Sequence, residues 1–258
     1  MRVAALFDIH GNLPALEAAL EDARRARVDR VVVGGDVVPG PMPGECLERL
    51  LELDLPVDFV HGNGDLGVLA QMLEPDADSA TYWGTTSGKP LPEPHRSRTR
   101  WSAEQVRGHE TALASWPRTV RLSIDGLGEV LFCHATPRSE TEIFTRLTAE
   151  EKLAPIFQSL GVAMVVCGHT HMPFDRTVAG VRVVNAGSVG APFGEPGAHW
   201  LLLGPGVEMR STMYDLERAA ELVRSTPYPE AAEAAQGILK PPSEEQALEV
   251  FGKAEVGS

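Results

Sequence analysis

The stretch Val3–Asp36 reads Val-Ala-Ala-Leu-Phe-Asp-Ile-His-Gly-Asn, continues with a helical periodicity, and closes with Val-Val-Val-Gly-Gly-Asp. Residues 3–7 form a continuous apolar run of strand length, and Leu13, Leu16 and Leu20 recur at helical spacing. A second short apolar run precedes the closing glycines. The stretch therefore predicts a β-α-β unit, whose two strands are parallel neighbours joined by a right-handed crossover.

Each of these two predicted strands ends in a carboxylate. Asp8 follows the first strand, Asp36 follows the second, and His10 lies two residues beyond Asp8. Adjacent parallel strands present their carboxyl ends at the same edge of a sheet, which is where open α/β sheets place their sites. Two carboxylates and an imidazole at one edge indicate the beginning of a metal site.

The same pattern, an apolar strand running into a glycine-rich turn, recurs along the chain. A predicted strand at 57–60 ends in His-Gly-Asn-Gly-Asp, and one at 130–133, after an Asp-Gly hairpin turn, leads into a histidine. Another, at 162–167, ends in Gly-His-Thr-His. Glycine lets the backbone bend sharply, so that side chains can converge on an ion. The polar residues at these strand ends are Asp8, His10, Asp36, Asn63, His134, His169 and His171.

Composition is that of an ordinary globular protein, with 258 residues, 43% hydrophobic and 23% charged. No apolar run approaches the roughly 20 residues that span a membrane, and the N-terminus enters the first strand at once. Cys46, Cys133 and Cys167 form no Cys-x-x-Cys pair, which predicts a reducing, cytoplasmic setting. A net charge of −13 disfavours a nucleic-acid partner, and a homo-oligomer stays open.

The order of predicted elements is β-α units first, then a β-rich stretch containing one helix, then further strands. This order predicts an α/β fold in which two mixed sheets face each other with helices on their outer faces. We expect one domain over 1–258. Residues 74–101 lack periodicity and mix aromatics with arginines, so they are an insertion that is either a surface loop or a substrate cap. Ser102 is expected to cap a helix to about residue 115, and a Pro-, Ala- and Glu-rich extension begins at about 226.

The motif order Asp-x-His, Gly-Gly-Asp, Gly-Asn-x-Asp, His and Gly-His-x-His resembles the calcineurin-like metallophosphoesterases, over about residues 1–214. The resemblance is closest to their small bacterial phosphodiesterase and phosphatase branch. It implies a four-layer α/β/β/α sandwich that holds two metal ions. It also implies that Asp8, His10 and His171 bind the first ion, that Asn63, His134 and His169 bind the second, and that Asp36 bridges both.

Carboxylate, amide and imidazole ligands without a thiolate suit Mn²⁺ or Fe, which we expect first, and also Ni²⁺, Zn²⁺ or Co²⁺. Two such ions, about 3.5–4 Å apart, would activate a bridging hydroxide as the nucleophile. The implied activity is hydrolysis of a phosphodiester or phosphomonoester in a small or nucleotide-like substrate. A nuclease using a local patch of Arg96, Arg98 and Arg100, or a non-catalytic interaction scaffold, is the alternative.

Three further residues are candidates for contact with the phosphate or for stabilisation of the transition state: Asn12, Asn63 and Arg138. The planar guanidinium of Arg138 suits a phosphate, although a surface salt bridge is almost equally expected. Many relatives carry a histidine directly after the asparagine of the third motif, where it protonates the leaving group. Gly64 occupies that position here. The general acid is therefore left open among Asp65, His95, His109 and His199.

Overall fold

A computed structural model describes residues 1–75 and 93–256 of the chain. The strands in these residues are β1 Val3–Leu6, β2 Arg30–Val33, β3 Val57–Phe59, β4 Thr119–Ile124, β5 Gly128–Cys133, β6 Met164–Cys167, β7 Phe174–Val178, β8 Val181–Asn185, β9 Ala198–Leu203 and β10 Val207–Thr212. The helices are α1 Leu13–Arg25, α2 Pro43–Leu51, α3 Asn63–Leu73, α4 His95–Gln105, α5 Glu110–Ser115, α6 Glu150–Phe157, α7 Leu216–Ser225, α8 Ala231–Leu239 and α9 Glu244–Gly252.

The first sheet has the strand order β10-β9-β1-β2-β3. β1 pairs in parallel with β2, with Val3 opposite Arg30, and β2 pairs in parallel with β3. These pairings confirm the predicted β-α-β unit. β9 and β10 return antiparallel from the second half of the chain and complete a mixed sheet. The carboxyl ends of β1, β2 and β3 consequently lie side by side.

The second sheet has the strand order β4-β5-β6-β8-β7. β4 and β5 form the predicted antiparallel hairpin, and β5, β6 and β8 pair in parallel. β7 closes the edge antiparallel to β8. The parallel β5 and β6 carry His134 and the Gly-His-Thr-His turn beyond their carboxyl ends.

The two sheets pack face to face, which confirms the predicted four-layer sandwich. One cluster of buried side chains joins Ala5 and Leu201 of the first sheet to Phe132 and Val166 of the second. The opposite face of the first sheet packs on α1 and α2, through Leu6, Leu16 and Leu47. The opposite face of the second sheet packs on α6, and Cys133 and Cys167 lie there among Leu153 and Phe157 as small core residues.

The helices around residues 95–115 differ from the prediction. Ser102 does not cap a helix; it lies inside α4, which starts at His95, and α5 is a separate short helix. The buried face of α4 consists of Thr99, Ser102 and Ala103, so it lacks the apolar periodicity that identifies a helix in a sequence. Residues 76–92, most of the expected insertion, lie outside the described residues.

The C-terminal extension folds into helices that pack on the rest of the chain. Ala235 and Ile238 of α8 are buried against Val223 of α7 and against Met42. The last helix, α9, begins with a capping box of Ser243. No helix in the described ranges is long and apolar enough to cross a membrane.

Candidate metal centre

The seven residues predicted as metal ligands come together at the edge where both sheets present the carboxyl ends of their parallel strands. Asp8, His10 and Asp36 follow strands of the first sheet, and Asn63 is the first residue of α3, after β3. His134 follows β5 of the second sheet, and His169 and His171 follow β6. Both sheets thus contribute to one centre: Asp8, His10, Asp36, Asn63, His134, His169 and His171.

One group of donors surrounds Asp8. Its Oδ1 atom lies 3.3 Å from His171 Nε2 and 3.8 Å from His10 Nε2, and the two imidazole nitrogens lie 3.1 Å apart. His171 Nδ1 donates to the carbonyl of Ala191 at 2.6 Å, which leaves Nε2 with its lone pair towards the carboxylate. A second-sphere hydrogen bond of this kind fixes the tautomer of metal-binding histidines.

A second group of donors surrounds His134. Its Nδ1 donates to the carbonyl of Gly34 at 2.9 Å, so Nε2 keeps a lone pair, which faces Asn63 Oδ1 at 3.1 Å and His169 Nδ1 at 3.2 Å. Three acceptor atoms directed at one another suit a cation between them. If the amide of Asn63 is flipped, its nitrogen donates to His134 Nε2 and His169 Nδ1 instead. In the metal-free protein, this orientation would give both ring nitrogens a hydrogen-bond donor.

Asp36 lies between the two groups. Its Oδ2 atom is 3.8 Å from His10 Nε2 and 3.8 Å from His134 Nε2, while Oδ1 accepts a hydrogen bond from the Gly64 N–H at 2.7 Å. Asp8 is fully buried, and its Oδ1 has no hydrogen-bond partner among the described residues. A buried carboxylate oxygen without a donor is costly unless a cation compensates it, so the donor set fits divalent metal.

The backbone of the ligand loops is unusual. Five of the proposed ligands have the left-handed conformation that favours glycine, with φ between 48° and 66°: Asp8, His10, Asp36, His169 and His171. Such residues cost of order 1–3 kcal/mol each and cluster at functional sites. The left-handed turn after each strand directs its side chain back over the sheet edge and towards the other ligands.

Asp65 organises the turns without belonging to the ligand set. Its buried carboxylate accepts hydrogen bonds from the N–H groups of Asp36, Val37, Val38 and Gly62 at 2.7 to 3.1 Å. It therefore joins the turn after β2 to the turn after β3. Burial and the neighbouring charge of Asp36 raise the pKa of Asp65 to about 7, against the effect of its N–H donors. Sequence reasoning considered Asp65 only as an acid, and the fourth position of Gly-Asn-x-Asp was its only signal.

The pKa values of the centre follow from burial opposed by charge. Burial alone would lower the pKa of His171 and of His134, but the carboxylates of Asp8 and Asp36 outweigh it and the pKa of both rings is raised. Burial dominates for His169, whose pKa falls to about 4. In the metal-free centre, protonation is therefore favoured at His134 and His171 over His169.

The other predicted phosphate-contact residues have partners of their own. Asn12 caps α1, and its amide nitrogen donates to the carbonyl of Gly190 at 2.9 Å and to the Tyr214 hydroxyl at 3.2 Å. Arg138 is exposed and forms a two-pronged ion pair with Glu142, with Nη2 to Oε1 at 2.6 Å. In this structure, Arg138 therefore forms a surface salt bridge, which was the expected alternative to contact with the phosphate.

A cavity of about 350 Å³ opens directly beside the centre. His10, Asn12 and His171 line it on the metal side, and His95 and Arg98 of α4 line it from the described end of the expected insertion. The arginines of α4 do not form an unopposed positive patch. Arg98 is ion-paired with Glu230, and Arg96 lies 3.4 Å from Glu93.

Gly64 is a packing requirement of the centre. A Cβ atom at this position would lie 2.4 Å from Pro39 Cγ and 2.9 Å from Asp36 Oδ1. Of the acid candidates, Asp65 is engaged with backbone N–H groups and His199 with the carbonyl of Glu195. His95 is the candidate that lines the cavity.

Comparison with known proteins identifies the family of the chain. A sequence model of the calcineurin-like phosphoesterase superfamily domain matches residues 1–204, and the chain belongs to this superfamily. Fold and family define it as a metallophosphoesterase, an enzyme of metal-dependent phosphoester hydrolysis.

Individual relatives extend the match towards the C-terminus. The chain is similar to a metallophosphoesterase of Sphaerobacter thermophilus, with 26% identity and a TM-score of 0.70 over 93% of this chain and 99% of that one. A hypothetical protein of Pyrococcus horikoshii shares the fold, with 22% identity and a TM-score of 0.77 over 94% and 99%. An uncharacterised protein of Methanocaldococcus jannaschii is 28% identical over 189 residues, which are 72% of this chain and 69% of that one.

Proposed function

We propose that the protein hydrolyses a small phosphate ester at a centre of two divalent metal ions. Asp8, His10 and His171 hold one ion, Asn63, His134 and His169 hold the other, and Asp36 is shared. The observation that carries this proposal is the position of Asp36 Oδ2, which lies 3.8 Å from His10 Nε2 in one donor group and 3.8 Å from His134 Nε2 in the other.

The chemistry of the donors supports hard and borderline ions. Oxygen and imidazole ligands without thiolate favour Mn²⁺ or Fe, and admit Ni²⁺, Zn²⁺ or Co²⁺. When bound, two such ions supply Lewis-acid activation of the ester and of the attacking water. The residues of the chain supply the rest: Asp8 and Asp36 provide the negative charge that retains the ions, and Gly34 and Ala191 hold the rings of His134 and His171 by hydrogen bonds.

The test combines metal content with turnover. The metal-free protein is titrated with Mn²⁺, and bound metal is measured by elemental analysis beside hydrolysis of bis(4-nitrophenyl) phosphate and 4-nitrophenyl phosphate. We expect two equivalents at saturation, with activity that needs the second. Saturation at one equivalent, or turnover that does not respond to metal, would contradict the proposal.

Neither Gly64 nor His95 is well suited to donate a proton to the leaving group. Gly64 offers no side chain, and burial together with Arg98 lowers the pKa of His95, so its ring is largely neutral at pH 7. General acid catalysis is typically worth about 10²–10⁴-fold. We therefore expect the rate to fall steeply as the leaving group becomes more basic.

The dependence of rate on leaving-group pKa is measured for the natural enzyme and for His95→Gln. Equal steep slopes agree with the absence of an acid. A shallow slope that becomes steep in His95→Gln would identify His95 as the acid. Gly64→His is not a suitable test, because its Cβ would displace Pro39 or Asp36.

A further inference from the structure

The cavity beside the metal centre has two unlike ends. On one side lie His10 and His171, which belong to the proposed ligand set. The rest of the lining includes the aromatic and apolar side chains of Phe193, Tyr228 and Ile238, of which Phe193 stacks on His171. At about 350 Å³, the cavity is at the small end of the roughly 300–1,000 Å³ that ligand pockets occupy. A phosphate at the metal side would leave room for a substituent of about the size of a phenyl or hexyl group.

Part of the cavity wall comes from the C-terminal part of the chain. Residues 228–242 contribute Tyr228, Gly237 and Ile238 to the lining, and they lie beyond residues 1–204, which match the superfamily. The metal centre and the wall opposite it therefore come from different parts of the chain. The shared domain supplies the ligands, and the C-terminal part shapes the space into which a substrate extends.

The wall is held in a fixed position relative to the metal ligands. The ring of Phe193 stacks on His171 with 5.5 Å between centroids, and its other contact is the edge of Phe251 in α9 at 5.9 Å. The N–H of Gly194 donates to the carbonyl of Pro242 at 2.9 Å. A substituent in the cavity would thus meet a surface whose distance from the centre is set by packed side chains.

The charge of the lining is balanced. Arg98 forms an ion pair with Glu230 and lies 3.6 Å from a carboxylate oxygen of Glu233. Two carboxylates around one guanidinium leave no surplus of positive charge for a second phosphate. Placing an anion in such a cavity would require its desolvation without compensation.

We propose that this cavity binds the non-phosphate part of the substrate and selects phosphate esters that carry a single phosphoryl group and an uncharged, mainly apolar substituent. The inference rests on the proposed function, because the phosphoryl group must lie at the metal side. It disfavours polyphosphorylated substrates, because the positive charge that Arg98 contributes to the lining is already paired with carboxylates.

The test uses diesters that share one leaving group. Alkyl 4-nitrophenyl phosphates from methyl to hexyl are compared by kcat/KM, together with an analogue whose alkyl chain ends in a carboxylate. Burial of a methylene group is worth at most about a 4-fold gain. We expect kcat/KM to rise by about 2- to 4-fold per methylene until the cavity is filled, and the carboxylated analogue to fall below its neutral counterpart by at least about 10-fold.

Two matched glycine variants locate the effect. Gly237 lies in α8 on the cavity wall, and a Cβ atom there would meet nothing within 4 Å. Gly252, at the end of α9, also has open space around its Cβ position but is exposed and away from the cavity. Leucine has a higher helix propensity than glycine, so both Gly237→Leu and Gly252→Leu should fold. Ala234→Leu, also on the wall, is the second variant that narrows the cavity.

Within Gly237→Leu and within Ala234→Leu, kcat/KM should no longer rise from the methyl ester to the longer esters, while Gly252→Leu should show the same rise as the natural enzyme. Inhibition constants of alkylphosphonates, checked by calorimetry, should follow the same order. An equal rise with chain length in all four proteins, no rise at all, or preference for the carboxylated analogue would overturn the inference and leave the proposed function intact. Absence of metal-dependent hydrolysis of every ester would overturn the proposed function itself.

Discussion

The ligand loops and the cavity wall are built by opposite means. The loops consist of buried or half-buried residues in left-handed turns, fixed by backbone hydrogen bonds to groups such as Asp65. The wall combines loop residues, Phe193 and Tyr228, with α8, and it is fixed by the ion pair of Arg98 with Glu230 and by a chain of aromatic contacts. A substitution in the loops moves several proposed ligands together, whereas a substitution in the wall alters only one side of the cavity. We therefore expect loop variants to affect turnover of every ester and wall variants to affect the choice between esters.

The strongest test of this contrast is Asp36→Asn. An amide keeps the shape of the side chain but loses the negative charge shared between the two donor groups. Substitution of residues that merely orient ligands costs about 10–100-fold, so we expect a loss of more than about 100-fold with every ester, and reduced binding of one metal equivalent. Turnover and elemental analysis on the same preparation measure both.

The control for this variant is Asp175→Asn. Asp175, on β7, is partly exposed and paired with Arg182 on β8, and it is not one of the donors of the centre. Exposed pairs of this kind contribute about 0–1 kcal/mol, so this variant should keep normal turnover and metal content. Near-normal turnover in Asp36→Asn would disprove the ligand assignment.

A smaller effect is expected from Asp65→Asn. The variant loses the negative charge and one of the two oxygens that accept the N–H groups of Asp36, Val37, Val38 and Gly62. Each buried N–H left without an acceptor costs about 1–3 kcal/mol. We expect metal affinity to fall by about 10–100-fold and the melting temperature to decrease, with activity recovered in part by excess metal. Normal affinity would show that the turns hold their shape without Asp65.

Beside the cavity wall, Glu230→Gln should change the relative rates of different esters rather than the turnover of a neutral ester. It removes the nearer of the two carboxylates that face Arg98, so the charge around this guanidinium becomes one unit more positive. We expect esters with an anionic substituent to improve several-fold relative to neutral esters, with turnover of the neutral ester unchanged. Glu233→Gln is the matched control, because its carboxylate is more exposed and lies 3.6 Å from Arg98. Equal shifts in both variants would refute the specific role of the Glu230 pair.

The smallest expected effect is the release of protons when metal binds. Because the pKa values of His134 and His171 are raised above 6.5 in the metal-free protein, both rings are protonated below about pH 6, and an ion bound at Nε2 must displace these protons. Release should therefore be greatest, between about one and two protons, in acid, and should vanish as the pH rises through the raised values. Calorimetry in buffers of different ionisation enthalpy measures it, and constant release across this range would contradict the assignment.

The sequence predicted the layers of the fold and the gathering of the seven polar residues, because both depend on short-range patterns. An apolar strand followed by Gly-Gly-Asp36 or Gly-His169 identifies the strand and the residue at its end. The parallel order of the strands then determines the edge at which the residues meet. Five separate segments gave the same type of signal, and chance agreement of all five is improbable.

The cavity wall could not be predicted from the sequence, and the reason is physical. α4 buries Thr99 and Ser102, whose polarity gives no apolar period, so its start at His95 was missed. Tyr228 and Ile238 reach the cavity only because α8 folds back on α7, a tertiary contact that leaves no mark in local sequence. The role of Asp65 was missed similarly, since its partners are backbone N–H groups and those occur at every non-proline residue.

The left-handed ligand residues have a consequence for the evolution and engineering of this chain. At about 1–3 kcal/mol each, the strain at Asp8, His10, Asp36, His169 and His171 is comparable with the net stability of about 5–15 kcal/mol of a typical domain. Glycine or asparagine would relax these positions, so a stability-based redesign or a consensus filter would tend to erase the proposed metal ligands. Thermostabilising libraries for this enzyme should therefore exclude these five codons, and a cluster of non-glycine left-handed residues can serve as a search criterion for metal centres in other folds.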